Sequence, residues 1–253
     1  MTAISGFCLT GSAGSGASTV RHSGSDRGSA ARSETGELAS RRELHVPSVI
    51  LPWLILAYLA GSFPTAWLVG RAMGLDLRQE GSGNLGGTNA FRVLGAKGGV
   101  PVVAVDVTKG YVPAAMFPLW DGSALPELAL VYGLLAIIGH VWPVWLRFQG
   151  GKGVATGAGV LLALAPLAAA VALLIWIGVV LLTRTVSIAS LVAATSVPFV
   201  ATLTGAQLST VVFCAGIVAF VWWTHRSNLG RIARGEELRF GDRKQPPGKR
   251  GDG

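Results

Sequence analysis

The chain predicts an all-α polytopic membrane protein of about seven transmembrane helices, with the amino end outside and the carboxyl end cytoplasmic. Three observations carry that prediction. Of 253 residues, 51% are hydrophobic and only 13% charged, against about 25% charged in a soluble domain, and mean hydropathy is +0.53. A soluble globule with so few charges could not cover its surface, and a disordered chain would be less apolar. Lys152 and Arg184 enclose 31 uncharged residues, and the 41 residues between Arg184 and Arg226 hold no Asp, Glu, Lys or Arg; a spanning helix needs about 20. Lys and Arg, finally, gather in alternate loops, so the net charge of +8 reads as topology and nucleic acid is not an expected partner. Cys8 and Cys214 offer neither a disulfide framework nor zinc spacing.

The elements follow in order. Residues 1–45 are rich in Ser and Gly without helical periodicity and read as a disordered extension. Arg41-Arg42 before an apolar stretch suggests a twin-Arg export signal, but that stretch has full membrane length and no A-x-A-like cleavage site closes it. The membrane domain occupies 46–235. Segment 47–70 is apolar throughout, and a polar, Gly-rich loop follows at 71–97. Segment 98–119 is apolar apart from Asp106, Thr108 and Lys109. Segment 125–146 leads to the short loop from Arg147 to Gly153. Residues 154–183 are long for one span and hold Pro166, which removes a backbone donor. Segments 186–203 and 207–223 complete the domain, and 236–253 form a basic cytoplasmic tail.

Basic residues decide how 154–183 is counted. If it folds back near Pro166, the loops at 120–124, about 164–167 and 204–206 face out and hold no Lys or Arg. Arg71, Arg78, Arg92, Lys97, Arg147, Lys152, Arg184, Arg226, Arg231 and Arg234 then all face in. A single span there would send Arg184 and the Arg-rich tail outside. Seven spans therefore fit better than six, the stretch before Pro166 being short for one.

This topology puts three polar loops on the cytoplasmic side. The first, Gly81 to Arg92, matches two familiar patterns. Gly81-x-Gly83-x-x-Gly86 fits a dinucleotide fingerprint, but that needs a preceding strand and a βαβ unit. Gly81 to Thr88 nearly fits a Walker A loop, but Gly87 stands where its Lys belongs. What remains is the shared physics. Closely spaced glycines, Gly83 among them, let backbone N–H groups form an anion nest, and Ser82, Asn84, Thr88 and Asn89 add short donors. Arg92 adds a fork that matches phosphate.

The second loop, Gln149 to Thr156, holds Gly150, Gly151, Lys152 and Gly153 ahead of an apolar helix. It places a cation and free N–H groups at a positive helix end. Lys152 as a mere topology anchor, with Gly153 and Gly157 as a packing face, is the alternative. The third loop follows the last span: His225, Asn228 and either Arg231 or Ile232 share a helical face. His exchanges protons near neutral pH and Asn fixes a hydroxyl; Arg239 to Arg250 read as a tail attracted to anionic lipid.

Within the spans, Asp106 and Lys109 are one turn apart and pair. His140 reads as a packing or hydrogen-bonding residue. Trp53, Trp67, Trp142, Trp145, Trp222 and Trp223 read as an interfacial belt.

Two anion sites, a His/Asn pair and a lipid-facing body suggest joining a phosphorylated polar molecule to a lipid. The segments AYLAGSFPTAWLVGR, GSGNLGGTNAFRVLGAKGG, DVTKGYVP, GHVWPVWLRFQGGKGVATGAGVLLAL, RTVSIASL and HRSNLGRIARGEE closely resemble the bacterial membrane-integral acyl-phosphate:glycerol-3-phosphate acyltransferases, in order over about 50–240. The resemblance implies acyl transfer from acyl phosphate to the 1-hydroxyl of glycerol 3-phosphate, giving lysophosphatidic acid and phosphate at the bacterial inner membrane. It implies that Ser82, Asn84, Thr88 and Arg92 belong to the first motif, Gly150 to Gly153 to the second, and His225 and Asn228 to the third. Ser187 and Ser190 match a weaker pattern near the pocket. Gly87 stands where that family usually has Ala.

Because acyl phosphate is already an activated anhydride, no covalent acyl-enzyme is required. Lys152, Arg92 and backbone N–H groups would steady the departing phosphate. His225 would either take the hydroxyl proton or orient the hydroxyl while phosphate takes it. The fifth residues after His22, His45, His140 and His225 are Arg27, Ile50, Trp145 and Gly230, so the H-x4-D pair of the other glycerolipid acyltransferases is missing. No metal or cofactor is expected, and a separate acyl-phosphate-forming enzyme would supply the donor. An organic-anion transporter is the alternative; it would suit the intramembrane Asp106 and Lys109 but predicts inverted repeats.

Overall fold

The computed structural model describes residues 50–123 and 125–241; the expected extension at 1–45 and the tail from 242 lie outside the described residues. Every regular element among the described residues is helical. Helix α1 (Ile50–Ser62) breaks at Phe63-Pro64 and resumes as α2 (Thr65–Ala72). After the first polar loop come α3 (Gly87–Trp120) and α4 (Leu128–Val141). A 3-10 turn (Val144–Leu146) leads through the second loop to α5 (Val154–Leu164). The chain continues as α6 (Pro166–Thr183), α7 (Val186–Leu203) and α8 (Leu208–Thr224), and α9 (Arg226–Ala233) leaves α8 at a bend of 55°.

Four stretches are long and apolar enough to cross a membrane: Ile50–Ala72, Leu128–Leu146, Pro166–Thr183 and Val186–Leu203. The bent pair α8–α9 brings the number to five among the described residues. Two further expected spans fall below that measure for visible reasons. Helix α3 carries Arg92, Lys97, Asp106 and Lys109 along its 34 residues, and α5 has only 11. The break between α5 and α6 is where the proline predicts it, with Pro166 opening the new helix and needing no backbone donor there.

Helix α3 also starts earlier than the apolar pattern suggests. Two helical stretches meet at Gly95, whose φ of 67° is open to a residue without Cβ. Thr88, Asn89 and Arg92 therefore ride on a short helical stretch rather than in an open loop.

The central core joins Ala114 of α3, Ile137 of α4, Val160 of α5, Leu191 of α7, and Ile217 and Val221 of α8. Small residues set the closest crossings. A Cβ on Gly110 would run into the Thr156 carbonyl and one on Gly159 into the Val107 carbonyl, so α3 and α5 touch backbone to backbone. The outer surface is apolar: Leu182 and Leu203 are each 86% exposed, which is stable only against lipid.

Where α3 ends, the buried Asp121 accepts hydrogen bonds from the Tyr132 hydroxyl at 2.6 Å and the Ser123 amide at 2.8 Å. Tyr132→Phe leaves one carboxylate oxygen without its donor. It is expected to cost about 1–3 kcal/mol, read as a lower melting temperature in detergent; an unchanged melting temperature would show that water replaces the hydroxyl.

Candidate active site

The bend between α8 and α9 builds the first half of the site. His225 sits at the junction, 3% exposed, with Nδ1 at 2.8 Å from the Val221 carbonyl. A carbonyl only accepts, so Nδ1 carries the hydrogen and Nε2 is the open acceptor of the neutral ring. Burial, then the nearby Lys152 charge, push the ring's pKa down to about 4 against the raising effects of Val221 and Glu237. The imidazole is therefore neutral at pH 7.

One turn into α9, the buried Asn228 presents its amide between two charged partners. Its Oδ1 accepts a hydrogen bond from Lys152 Nζ, and its Nδ2 donates to Glu237 Oε1 at 2.5 Å. Arg231 Nε donates to Glu237 Oε2 at 2.7 Å. Burial raises the Glu237 carboxyl, but the hydrogen bonds from Asn228 and Arg231, the nearby Ser187 hydroxyl and the Arg231 charge together bring it below its usual range.

Glu237 is the site residue that motif reading misses. Gly235, at φ 69°, reverses the chain after α9, and Glu236 N bonds back to the Arg231 carbonyl at 2.8 Å. That glycine C-cap is the signal that could have found it. The reversal sends Glu237 inward, while the exposed Glu236 pairs with Arg234. Phe240 N then bonds the Arg184 carbonyl at 2.5 Å, so the expected tail begins by packing against the start of α7.

The second loop supplies the other half. Gly153 caps α5 at φ 82°, and Lys152 beside it reaches Asn228. Thr224 Oγ1 also donates to the Lys152 carbonyl at 3.3 Å. Burial first, then the charges of Arg231 and Arg92, hold the Lys152 ammonium down to about 8, partly offset by Glu237. The expectation of free N–H groups needs correcting at Gly150 and Gly151. Their amides donate to the Val141 and His140 carbonyls, each at 3.1 Å, which leaves the unpaired first turn of α5 as the positive helix end.

The first loop joins the others through Arg92, close enough to depress Lys152. Ser82 and Gly83 are exposed at its crest; Asn84 and Thr88 are half-buried beside the N-terminus of α3. Asn89 has a different occupation from the one expected. It is 1% exposed, accepts from Ser82 N at 2.8 Å and donates to the Leu77 and Glu80 carbonyls at 3.1 Å each. It staples the loop and keeps no open donor for a phosphate. Ser190 likewise is held within the helices, accepting from Trp176 Nε1 at 3.2 Å and donating to the Val186 carbonyl at 2.9 Å. Ser187, one turn earlier, is the serine beside Glu237. Among the described residues no strand precedes the Gly81-x-Gly83-x-x-Gly86 pattern, so it is no dinucleotide fingerprint.

An apolar groove of about 540 Å³ opens next to these groups, lined by Ile188, Leu191, Phe199, Trp222, Leu229 and Ile232 among others. Leu229 and Ile232 share α9 with Asn228 and Arg231. A polar corner with three cations thus adjoins a slot for an aliphatic chain.

Comparison with known proteins agrees with that division. The profile of the family described as glycerol-3-phosphate acyltransferase matches residues 51–235. A glycerol-3-phosphate acyltransferase of Desulforudis audaxviator is 44% identical over 190 residues, covering 75% of this chain and 94% of the relative. Glycerol-3-phosphate acyltransferase 2 of Moorella thermoacetica is 44% identical over 193 residues, covering 75% and 97%. The crystal structure of PlsY (YgiH), an integral membrane glycerol 3-phosphate acyltransferase in its glycerol 3-phosphate form, superimposes with a TM-score of 0.71 at 37% identity, covering 77% of this chain and 96% of that one. Its lysophosphatidic acid form gives 0.70 at 36% identity. Matched over most of its length in sequence and in fold, this multi-pass membrane chain belongs to the glycerol-3-phosphate acyltransferase family.

Proposed function

We propose that the protein transfers a fatty acyl group from acyl phosphate to the 1-hydroxyl of glycerol 3-phosphate, releasing lysophosphatidic acid and inorganic phosphate. The observation that carries this reading is one buried cluster beside an apolar groove: Lys152 bonded to Asn228, Asn228 and Arg231 both bonded to Glu237, and the neutral His225 near Lys152. The cations suit phosphate and the groove suits an acyl tail. Both comparison structures fit: one holds glycerol 3-phosphate and the other lysophosphatidic acid, by their descriptions. The same findings favour acyl transfer over organic-anion transport.

The chemistry follows from the donor. The glycerol oxygen attacks the acyl carbonyl carbon, the bond from that carbon to the phosphate oxygen breaks, and phosphate leaves with both bonding electrons. Lys152, Arg92 and the α5 N-terminus offset its charge. His225 Nε2 accepts a hydrogen bond from the attacking hydroxyl and points it at the carbonyl. A ring held at about 4 is too weak a base to keep the proton, so the leaving phosphate, the stronger base, takes it. On this reading His225 orients the hydroxyl and the phosphate takes the proton.

The protein reads as a seven-segment chain in the inner membrane, amino end outside, with the site on the cytoplasmic side. Helix α3 beyond Gly95 and the short α5 add two segments to the five apolar stretches, and the basic residues then lie on one side. An acyl-phosphate-forming enzyme supplies the donor. The test is phosphate release by the purified protein. Palmitoyl phosphate should release phosphate only when glycerol 3-phosphate is present, with palmitoyl-CoA inert. Release independent of glycerol 3-phosphate, or acylation from palmitoyl-CoA, would overturn the assignment of donor.

A further inference from the structure

Under the second loop lies a group of buried polar atoms that the reaction does not use. Ser62 Oγ, Thr65 Oγ1, Trp67 Nε1, Asp106 Oδ2 and His140 Nδ1 have no hydrogen-bond partner among the described residues, and all five residues line one small cavity with room for about one water. Lys109 closes one side, its Nζ donating to Asp106 Oδ1 at 2.9 Å and to the Phe63 carbonyl at 3.0 Å. Gly150 and Gly151 close another. Unpaired buried polar atoms on five residues that line one water-sized space mark an internal hydration site.

His140 links that site to the loop above. Its Nδ1 is 3.7 Å from Asp106 Oδ1, and the opposite edge of the ring lies against Gly151. A Cβ on Gly151 would overlap His140 Nε2 and press on Cδ2 and Cε1, each at 3.0 Å. The backbone holds the same join, since Gly151 N bonds the His140 carbonyl and Gly150 N the Val141 carbonyl. The next residue is Lys152, whose reach to Asn228 depends on where Gly151 is held.

We propose that His140 is a positioning residue for the phosphate site: Asp106, Lys109 and one enclosed water fix its ring, and the ring fixes the height of Gly150 and Gly151, and hence where the Lys152 ammonium lies. This rests on the reading of Lys152 as a phosphate-binding cation. His140 acts through its shape and its bonds to the loop and touches no substrate. Asp106 and Lys109 then serve as the pair that keeps the imidazole from turning.

The test is a size swap, read by calorimetric binding of glycerol 3-phosphate to the purified full-length protein. Gly151→Ala should weaken binding at least tenfold, because its Cβ meets the ring, and His140→Ala should weaken it severalfold. The double variant should bind more tightly than Gly151→Ala alone, since the Cβ enters the space the ring has left. Losses that multiply would overturn the proposal, as would a His140→Ala protein of lowered melting temperature and parental affinity. Asp106→Asn, which keeps the shape and removes the charge, gives a second readout: KM for glycerol 3-phosphate should rise severalfold with kcat changed less than twofold. An unchanged KM there counts against the proposal even if the other variants do not fold. Lys152→Ala separates the two readings. If it binds like the parent, the phosphate assignment fails; if it alone weakens binding, only the positioning role does.

Discussion

Lys152→Ala is expected to lower kcat/KM for glycerol 3-phosphate by about 10²- to 10³-fold, the loss typical of removing one preorganised electrostatic partner. Lys152 is bonded to Asn228 and lies near Arg92 and Arg231. Its removal deletes the cation of the second loop and leaves Asn228 Oδ1 without its donor. The pH dependence supplies an independent check. Burial and the two arginines hold the ammonium down to about 8, so it is protonated below that pH and neutral above it. The free enzyme should therefore lose kcat/KM with an alkaline limb centred near pH 8, about two units earlier than for an exposed lysine. In Lys152→Arg, whatever its absolute rate, that limb should vanish, because a guanidinium stays charged throughout the accessible range. A limb that survives in Lys152→Arg would assign it to another group.

Gly159→Ala is expected to cost about 3 kcal/mol of stability, at the upper end for overpacking. The added Cβ has the Val107 carbonyl in its way and the Tyr111 amide 2.9 Å off. Neither is the end of a flexible side chain, so α5 must move away from α3. For a domain near 200 residues this corresponds to a fall of about 6–12 °C in melting temperature. Gly178→Ala serves as the control, since a Cβ there meets nothing within 4 Å. It should leave the melting temperature unchanged or raise it slightly, as an alanine in a helix favours folding. Equal effects of the two substitutions would mean that the α3–α5 crossing is not set by backbone contact. Because only the cap residue Gly153 separates Lys152 from α5, activity should fall with the stability of Gly159→Ala.

What the sequence makes legible is the chemistry of a position, and what it hides is direction. Lys152, His225 and Asn228 are readable because few residues can supply a cation, an imidazole and an amide next to apolar helices. Asn89 and Asn84 look equivalent on the same terms. Only folding shows that Asn89 turns into the loop and bonds Leu77 and Glu80. Glu236 and Glu237 differ in the same way: adjacent and chemically alike, they part at the reversal after Gly235, one meeting Arg234 outside and the other Arg231 and Asn228 inside. Ser187 and Ser190 occupy successive turns of α7, and a fraction of a turn decides which one faces Glu237. The helical plan was easier to read, since apolar length and Pro166 mark where helices run and break. Helix α3 was harder, because the kink at Gly95 joins a short polar helical stretch directly to an apolar one with no loop between them.

The 55° turn from α8 into α9 has a consequence for how the two reactants meet. On the proposed reading, Asn228 and Arg231 belong to the polar corner on the cytoplasmic side while Leu229 and Ile232 of the same short helix border the groove. A water-soluble phosphate ester comes from the bulk, but an amphiphile slides in sideways from its own leaflet and its product departs by the same route. The concentration that governs the lipid half of the reaction is then a mole fraction in a surface rather than a molarity. Diluting the bilayer with inert lipid would starve the enzyme at constant bulk donor, while diluting the buffer with glycerol 3-phosphate held saturating would not.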